Sequence, residues 1–117
     1  MQKLVVTRYK SLVDYLKKLN LIDDNVKILP HASPDDVRNK HVLGVLPYWL
    51  ACHTAKFTEI QLRIPGEKRG TELRLEEIEF YALEPKTYIV RLTSFEDKKK
   101  EEKKEEKKEE KEEKKNG

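Results

Sequence analysis

The chain holds a single cysteine, Cys52, among its 117 residues. No disulfide can close within it, and a reducing cytoplasm is the expected setting. No apolar run reaches the length a bilayer demands, and the N-terminus lacks the charged-then-apolar pattern of a secretory leader. Glycine is scarce, with four in all, and none builds a Gly-x-Gly-x-x-Gly turn or a Walker loop. That argues against a dinucleotide cofactor or a P-loop nucleotide site. Neither Cys/His pairs nor carboxylates recur at metal-ligand spacing, so no metal or other cofactor is expected. A strong excess of one charge is missing too. The formal charge of +3 divides into +2 from Lys98 onward, where ten Lys face eight Glu, and +1 for the remainder, with 15 basic against 14 acidic groups. A nearly neutral body speaks against long nucleic acid and leaves room for a small anion in a local basic pocket.

What is present alternates between strand and helix signals. Residues 3–7 form an apolar, β-branched run, and Tyr9 to Asn20 sets Leu12, Val13, Tyr15, Leu16 and Leu19 at helical spacing. Val26–Leu29 reads as a second strand ended by Pro30-His31. Ser33-Pro34-Asp35-Asp36 is a helix start, with Ser as N-cap and Pro in the first turn. His41–Leu46 is almost wholly apolar, which predicts burial on both faces. Pro47 opens a helix predicted to reach Ala55, with Trp49 among its core positions. Phe57–Ile64 alternates as a fourth strand ending near Arg63. A polar, Gly-bearing loop precedes an amphipathic helix over Leu75–Tyr81, and Thr87–Leu92 is a fifth strand. Alternating βα units with short connections predict a compact Rossmann-like α/β domain over residues 1–95, a mostly parallel five-stranded sheet with flanking helices. The Lys/Glu-rich segment 96–117 is expected to be a solvated or partly helical tail, because its period of four sets like charges at i,i+4.

In such a sheet ligands bind beyond the carboxyl ends of the strands. The first end offers Thr7, Arg8, Tyr9 and Lys10 where a helix begins, and free N–H groups there suit a phosphate. The second brings His31. The third reads Gly44-Val45-Leu46-Pro47, followed by Tyr48, whose ring can stack on a base. Beyond the fourth, Lys68-Arg69-Gly70 is a candidate phosphate clamp, with Arg69 favoured because a guanidinium grips phosphate oxygens in a fork.

Val6-Thr7-Arg8, Gly44-Val45-Leu46-Pro47 with Leu50-Ala51, and Ile64-Pro65 followed by Arg69-Gly70-x-Glu72-Leu73 occur in the order seen in the small CRISPR-associated Csx-sixteen family. The chain resembles that family over residues 3–92. It departs where Tyr9 and Trp49 stand at positions that tend to be His. The resemblance implies an architecture related to CARF domains and a ring nuclease cutting cyclic tetra-adenylate, so ending type III CRISPR signalling. A ligand with two-fold symmetry implies a homodimer. Arg8, Arg69, Lys10 and His31 would then carry the chemistry. Thr7, Tyr9, Gly44, Leu46, Pro47, Tyr48 and Gly70 would bind. A cyclic-oligoadenylate sponge without turnover and an interaction module of the effector complex are the alternatives.

Overall fold

Leu4-Val5-Val6 and Val42-Leu43 are apolar at every position, and only a strand covered on both sides can use such a run. In the computed structural model, which describes residues 1–93, these segments form the centre of the sheet. Strands β1 (Lys3–Val6), β2 (Lys27–Leu29), β3 (His41–Gly44), β4 (Lys56–Glu59) and β5 (Lys86–Tyr88) lie in the order β2-β1-β3-β4-β5. The first four are parallel and β5 runs antiparallel to β4. The protein is thus a compact α/β fold with a mostly parallel five-stranded sheet and flanking helices, consistent with a Rossmann-like arrangement.

Side chains leave the central strands alternately up and down, which divides the core into two layers. On one face Val5, Leu43 and Ile60 pack with Leu12, Val13 and Leu16 of α1 (Lys10–Lys18) and Ile78 of α4 (Leu75–Tyr81). On the other, Leu4, Val6, Val42 and Phe57 meet Val37 of α2 (Pro34–Val37) with Leu50 and Ala51 of α3 (Tyr48–Ala51). The right-handed rule for parallel crossovers demands this division. The chain moves outward from β1 to β2, then back across β1 to β3, so the first and second crossovers cover opposite faces.

Local chemistry fixes the helix ends. Asn20 adopts φ 61° after α1. Its N–H donates to Lys17 O, and that of Leu21 to Leu16 O, the paired closure of a Schellman turn. Ser33 caps α2: its hydroxyl accepts the Asp36 N–H while the Asp36 carboxylate accepts the Ser33 N–H. The Ser33 N–H, and after it the Ser33 hydroxyl, donate to that carboxylate and hold the Asp36 carboxyl below its ordinary value. Gly44 has φ 140°, and a Cβ there would stand 2.2 Å from the Val6 carbonyl oxygen. Only glycine lets β3 run this close to β1.

Several expectations of element length and burial fail. The third helix stops at Ala51 rather than Ala55, because Ala55 N–H already bonds Lys40 O and draws the chain into β4. In a single helical turn only Leu50 and Ala51 reach the sheet, so Trp49 is exposed rather than core. The fourth strand ends at Glu59, not near Arg63, since its parallel neighbour β3 ends at Gly44, opposite it. Beyond that point Leu62 pairs with Ala82 in an isolated antiparallel bridge. The fifth strand is also shorter than its apolar run, Lys86–Tyr88. The Lys/Glu-rich tail lies outside the described residues, and no helix among them is long and apolar enough to cross a membrane.

Candidate functional site

Strand order reverses about β1, because β2 lies on one side of it and β3 on the other. Two adjacent crossovers on opposite faces leave a crevice beyond the carboxyl ends of such strands. A cavity of about 770 Å³ occupies that place. Residues 6–10 line it from the end of β1, Pro30 from β2, Val45 from β3, Leu62 from the segment after β4, and Gly70–Leu73 from the following loop.

The β1–α1 junction is held by the backbone. Thr7 N–H donates to Leu29 O at 3.0 Å, and Thr7 Oγ1 accepts the Tyr9 N–H at 3.1 Å. The hydroxyl proton of Thr7 remains available to an anion. Lys10 and Ser11 open α1, so their N–H groups have no carbonyl within the helix to bond. Arg8 is exposed. Its Nη2 lies 3.2 Å from His31 Nε2. A guanidinium has donors only, so His31 accepts at Nε2 and a neutral ring carries its hydrogen on Nδ1.

The loop is anchored at both ends. Leu73 is buried in the α1–α4 layer. Lys68 forms an ion pair with Glu77 of α4, which also accepts the Arg74 N–H at 3.0 Å. The Lys68 hydrogen bond, then that of Arg74, lowers the Glu77 pKa, and Glu77 in turn raises that of Lys68. Thr71 Oγ1 donates to Lys68 O at 2.6 Å. Gly70, at φ 83°, turns the chain toward the cavity.

Of the residues singled out in the sequence, Thr7, Arg8, Tyr9, Lys10 and Gly70 therefore line one cavity, and His31 adjoins it through Arg8. Arg69 is exposed beside Gly70 and does not line it. Four others are elsewhere. Gly44 is buried against Val6, Leu46 belongs to the α2–α3 layer, Pro47 caps α3, and Tyr48 is 80% exposed to solvent. The lining also contains Thr71 and Glu72, which the reading by strand ends passed over. Their signal was position, in the same Gly-bearing loop as Gly70. Among the described residues no group of three or more His, Cys, Asp or Glu is gathered to hold a metal ion.

With hydroxyl, guanidinium, ammonium and helix N-terminus around one cavity, the site suits a phosphate-bearing ligand. Comparison with known proteins gives one family. The model described as "Putative CRISPR-associated protein (Cas_VVA1548)" matches residues 4–91. Neither the curated proteins nor the solved structures yield a match. With most of its length covered by that model, the chain belongs to this CRISPR-associated family.

Proposed function

We propose that the protein is a ring nuclease that binds cyclic tetra-adenylate and cuts it without a metal, ending a type III CRISPR signal. The observation that carries this reading is the sharing of one cavity by Thr7, Arg8, Lys10 and the 70–73 loop, in a chain of a CRISPR-associated family. The residues suit an anion, and the family sets the chain among CRISPR-associated proteins. The resemblance to the Csx-sixteen proteins supplies the identity of the ring.

The reaction uses a nucleophile the substrate already owns. An adenosine 2′-oxygen attacks its own 3′-phosphate. The O2′–P bond forms as P–O5′ breaks, giving a 2′,3′-cyclic phosphate and a 5′-hydroxyl. One proton leaves O2′ and one arrives at O5′, transfers that call for a base and an acid at the cavity. The protein's task is to bring O2′ and O5′ into line across phosphorus and to hold the charge that grows on the non-bridging oxygens. Arg8 and the N–H groups that open α1 are suited to that charge. Arg69 joins them if the ligand reaches beyond the cavity rim. Two copies of a small domain, facing one two-fold symmetric ligand, would give each scissile phosphate the same surroundings.

The test is an incubation of labelled cyclic tetra-adenylate with excess protein in chelator, followed by denaturation and chromatography. The proposal expects linear products ending in 2′,3′-cyclic phosphate. An intact ring released from the denatured protein would mean sequestration without turnover. No retention of ligand at all would remove the cyclic oligoadenylate from the account.

A further inference from the structure

His31 is the obvious proton carrier at this edge of the sheet, yet its Nε2 lone pair is already engaged by Arg8 at 3.2 Å. Accepting a proton there would break that bond and set two cations side by side. Nor does His31 line the cavity, to which its strand end contributes Pro30. Glu72 does, and it is the one carboxylate among the described residues that line it. An ionised carboxylate has lone pairs and no proton of its own, whereas an ammonium such as Lys10 has donors only.

We propose that Glu72 is the catalytic base of this site, and that His31 is a positioning residue that holds Arg8. The proposal rests on the ring-nuclease reading and names the proton path within it. In-line displacement puts the entering and leaving oxygens on opposite sides of phosphorus, so base and acid must come from different directions. The β1–α1 junction brings Lys10 and the 70–73 loop brings Glu72, two separate segments of the lining. Glu72 takes the 2′-hydroxyl proton as O2′–P forms, and Lys10 Nζ gives one to O5′ as P–O5′ breaks. Exchange with water then restores both groups. Arg8, steadied by His31, meets the non-bridging oxygens.

Glutamine separates the two roles. Its Oε1 can accept from Arg8 where Nε2 did, but it cannot carry a proton. Single-turnover cleavage of cyclic tetra-adenylate across pH, with ligand affinity measured in parallel, is expected to give three results. Glu72→Gln loses about 10²–10⁴-fold in rate, keeps its affinity within a few-fold, and loses the acid limb of the profile. His31→Gln stays within a few-fold of the parent with its profile unchanged, and His31→Ala is slower than His31→Gln. A Glu72→Gln protein that cleaves at the parental rate overturns the assignment of the base. His31→Gln as slow as His31→Ala, with the acid limb gone, returns that role to His31.

Nitrogen NMR of the imidazole tests the holding role without any turnover. The hydrogen is expected on Nδ1 in the parent, and Arg8→Ala should shift it toward Nε2. A parent ring with its hydrogen on Nε2 overturns the positioning role. If the parent protein binds or cleaves no cyclic adenylate, the ring-nuclease reading and the Glu72 assignment fall together, while the tautomer measurement still decides His31.

Discussion

The two ends of the sheet each place a histidine at a strand terminus. At the carboxyl end His31 is exposed and meets Arg8, and the hydroxyl, ammonium and N–H donors around it face a cavity. At the amino end His41 is half-buried, and its Nε2 lies 2.6 Å from Thr58 Oγ1, which is 2.7 Å from Thr87 Oγ1. That chain ties β3, β4 and β5 across the sheet. Polar groups that satisfy one another serve the fold. Those that leave donors directed at a cavity are ready for a ligand. The contrast sorts two residues of one type into different roles, which their identity in sequence cannot do.

The sharpest way to break the contrast is at Arg8. If the carboxyl end is a site, Arg8→Ala costs about 10²–10³-fold in single-turnover cleavage and leaves the melting temperature nearly unchanged, because the side chain is exposed. Normal single-turnover rates would remove Arg8 from the mechanism. Gly44 supplies the opposite outcome on the same edge. A Cβ at 2.2 Å from Val6 O, on a backbone at φ 140°, cannot be relieved by a side-chain rotation. Gly44→Ala should destabilise by about 2–5 kcal/mol, the sum of overpacking and backbone strain. Denaturant unfolding measures it, and a midpoint equal to the parent's would show that β1 and β3 can part at no cost.

Glu77 sharpens the comparison further, for it serves the site without lining it. Its carboxylate joins Lys68 to the start of α4 and so fixes the root of the 70–73 loop. Glu77→Gln is expected to weaken ligand affinity several-fold while single-turnover cleavage of saturating ligand changes less. Titration calorimetry against the rate at saturation separates the two. Equal affinity in parent and variant would mean that Leu73 alone anchors the loop.

How far these roles were legible in sequence depended on whether the signal was local. The cap at Ser33 and the helix over Leu75–Tyr81 follow from side chains acting on their own backbone, and both hold in the structure. The mostly parallel direction of the strands was also legible, since each βα unit declares its direction. Where pairing decides, local pattern failed. Ile60, Leu62 and Ile64 keep facing the α1–α4 layer after β3 has ended, so the alternation outlives the strand. Trp49 looked like core because helix length, set by a hydrogen bond from Ala55 to Lys40, was invisible. At the site, Thr7, Arg8 and Lys10 were found through a rule about strand ends. The rule could not find Glu72, whose loop is brought back to the cavity by Leu73 and Glu77, contacts that depend on α4 being in place. The same rule also named Pro47 and Tyr48, which stand at α3 and do not line the cavity.

The smallest expected effect tests the amino end alone. Desolvation, then the charges of Lys56 and Lys3, push the His41 pKa below its ordinary value of 6.5. The unfolded chain therefore binds a proton at a pH where the folded one still refuses it. Between the folded pKa and 6.5 the unfolded state holds more protons, so stability rises with pH in that window. The contribution is complete above about 6.5 and is lost as pH falls through the folded value. His41→Gln, which keeps a side chain able to bond Thr58, should flatten the rise of unfolding free energy with pH just below 6.5. Asp36, whose folded pKa is also lowered, gives a similar slope only near its ordinary 3.8, so the two can be resolved by range. Cleavage by His41→Gln at pH 7.5 should match the parent. A loss of cleavage at unchanged stability would mean that the amino end also speaks to the site, and the division between the two ends would have to be redrawn.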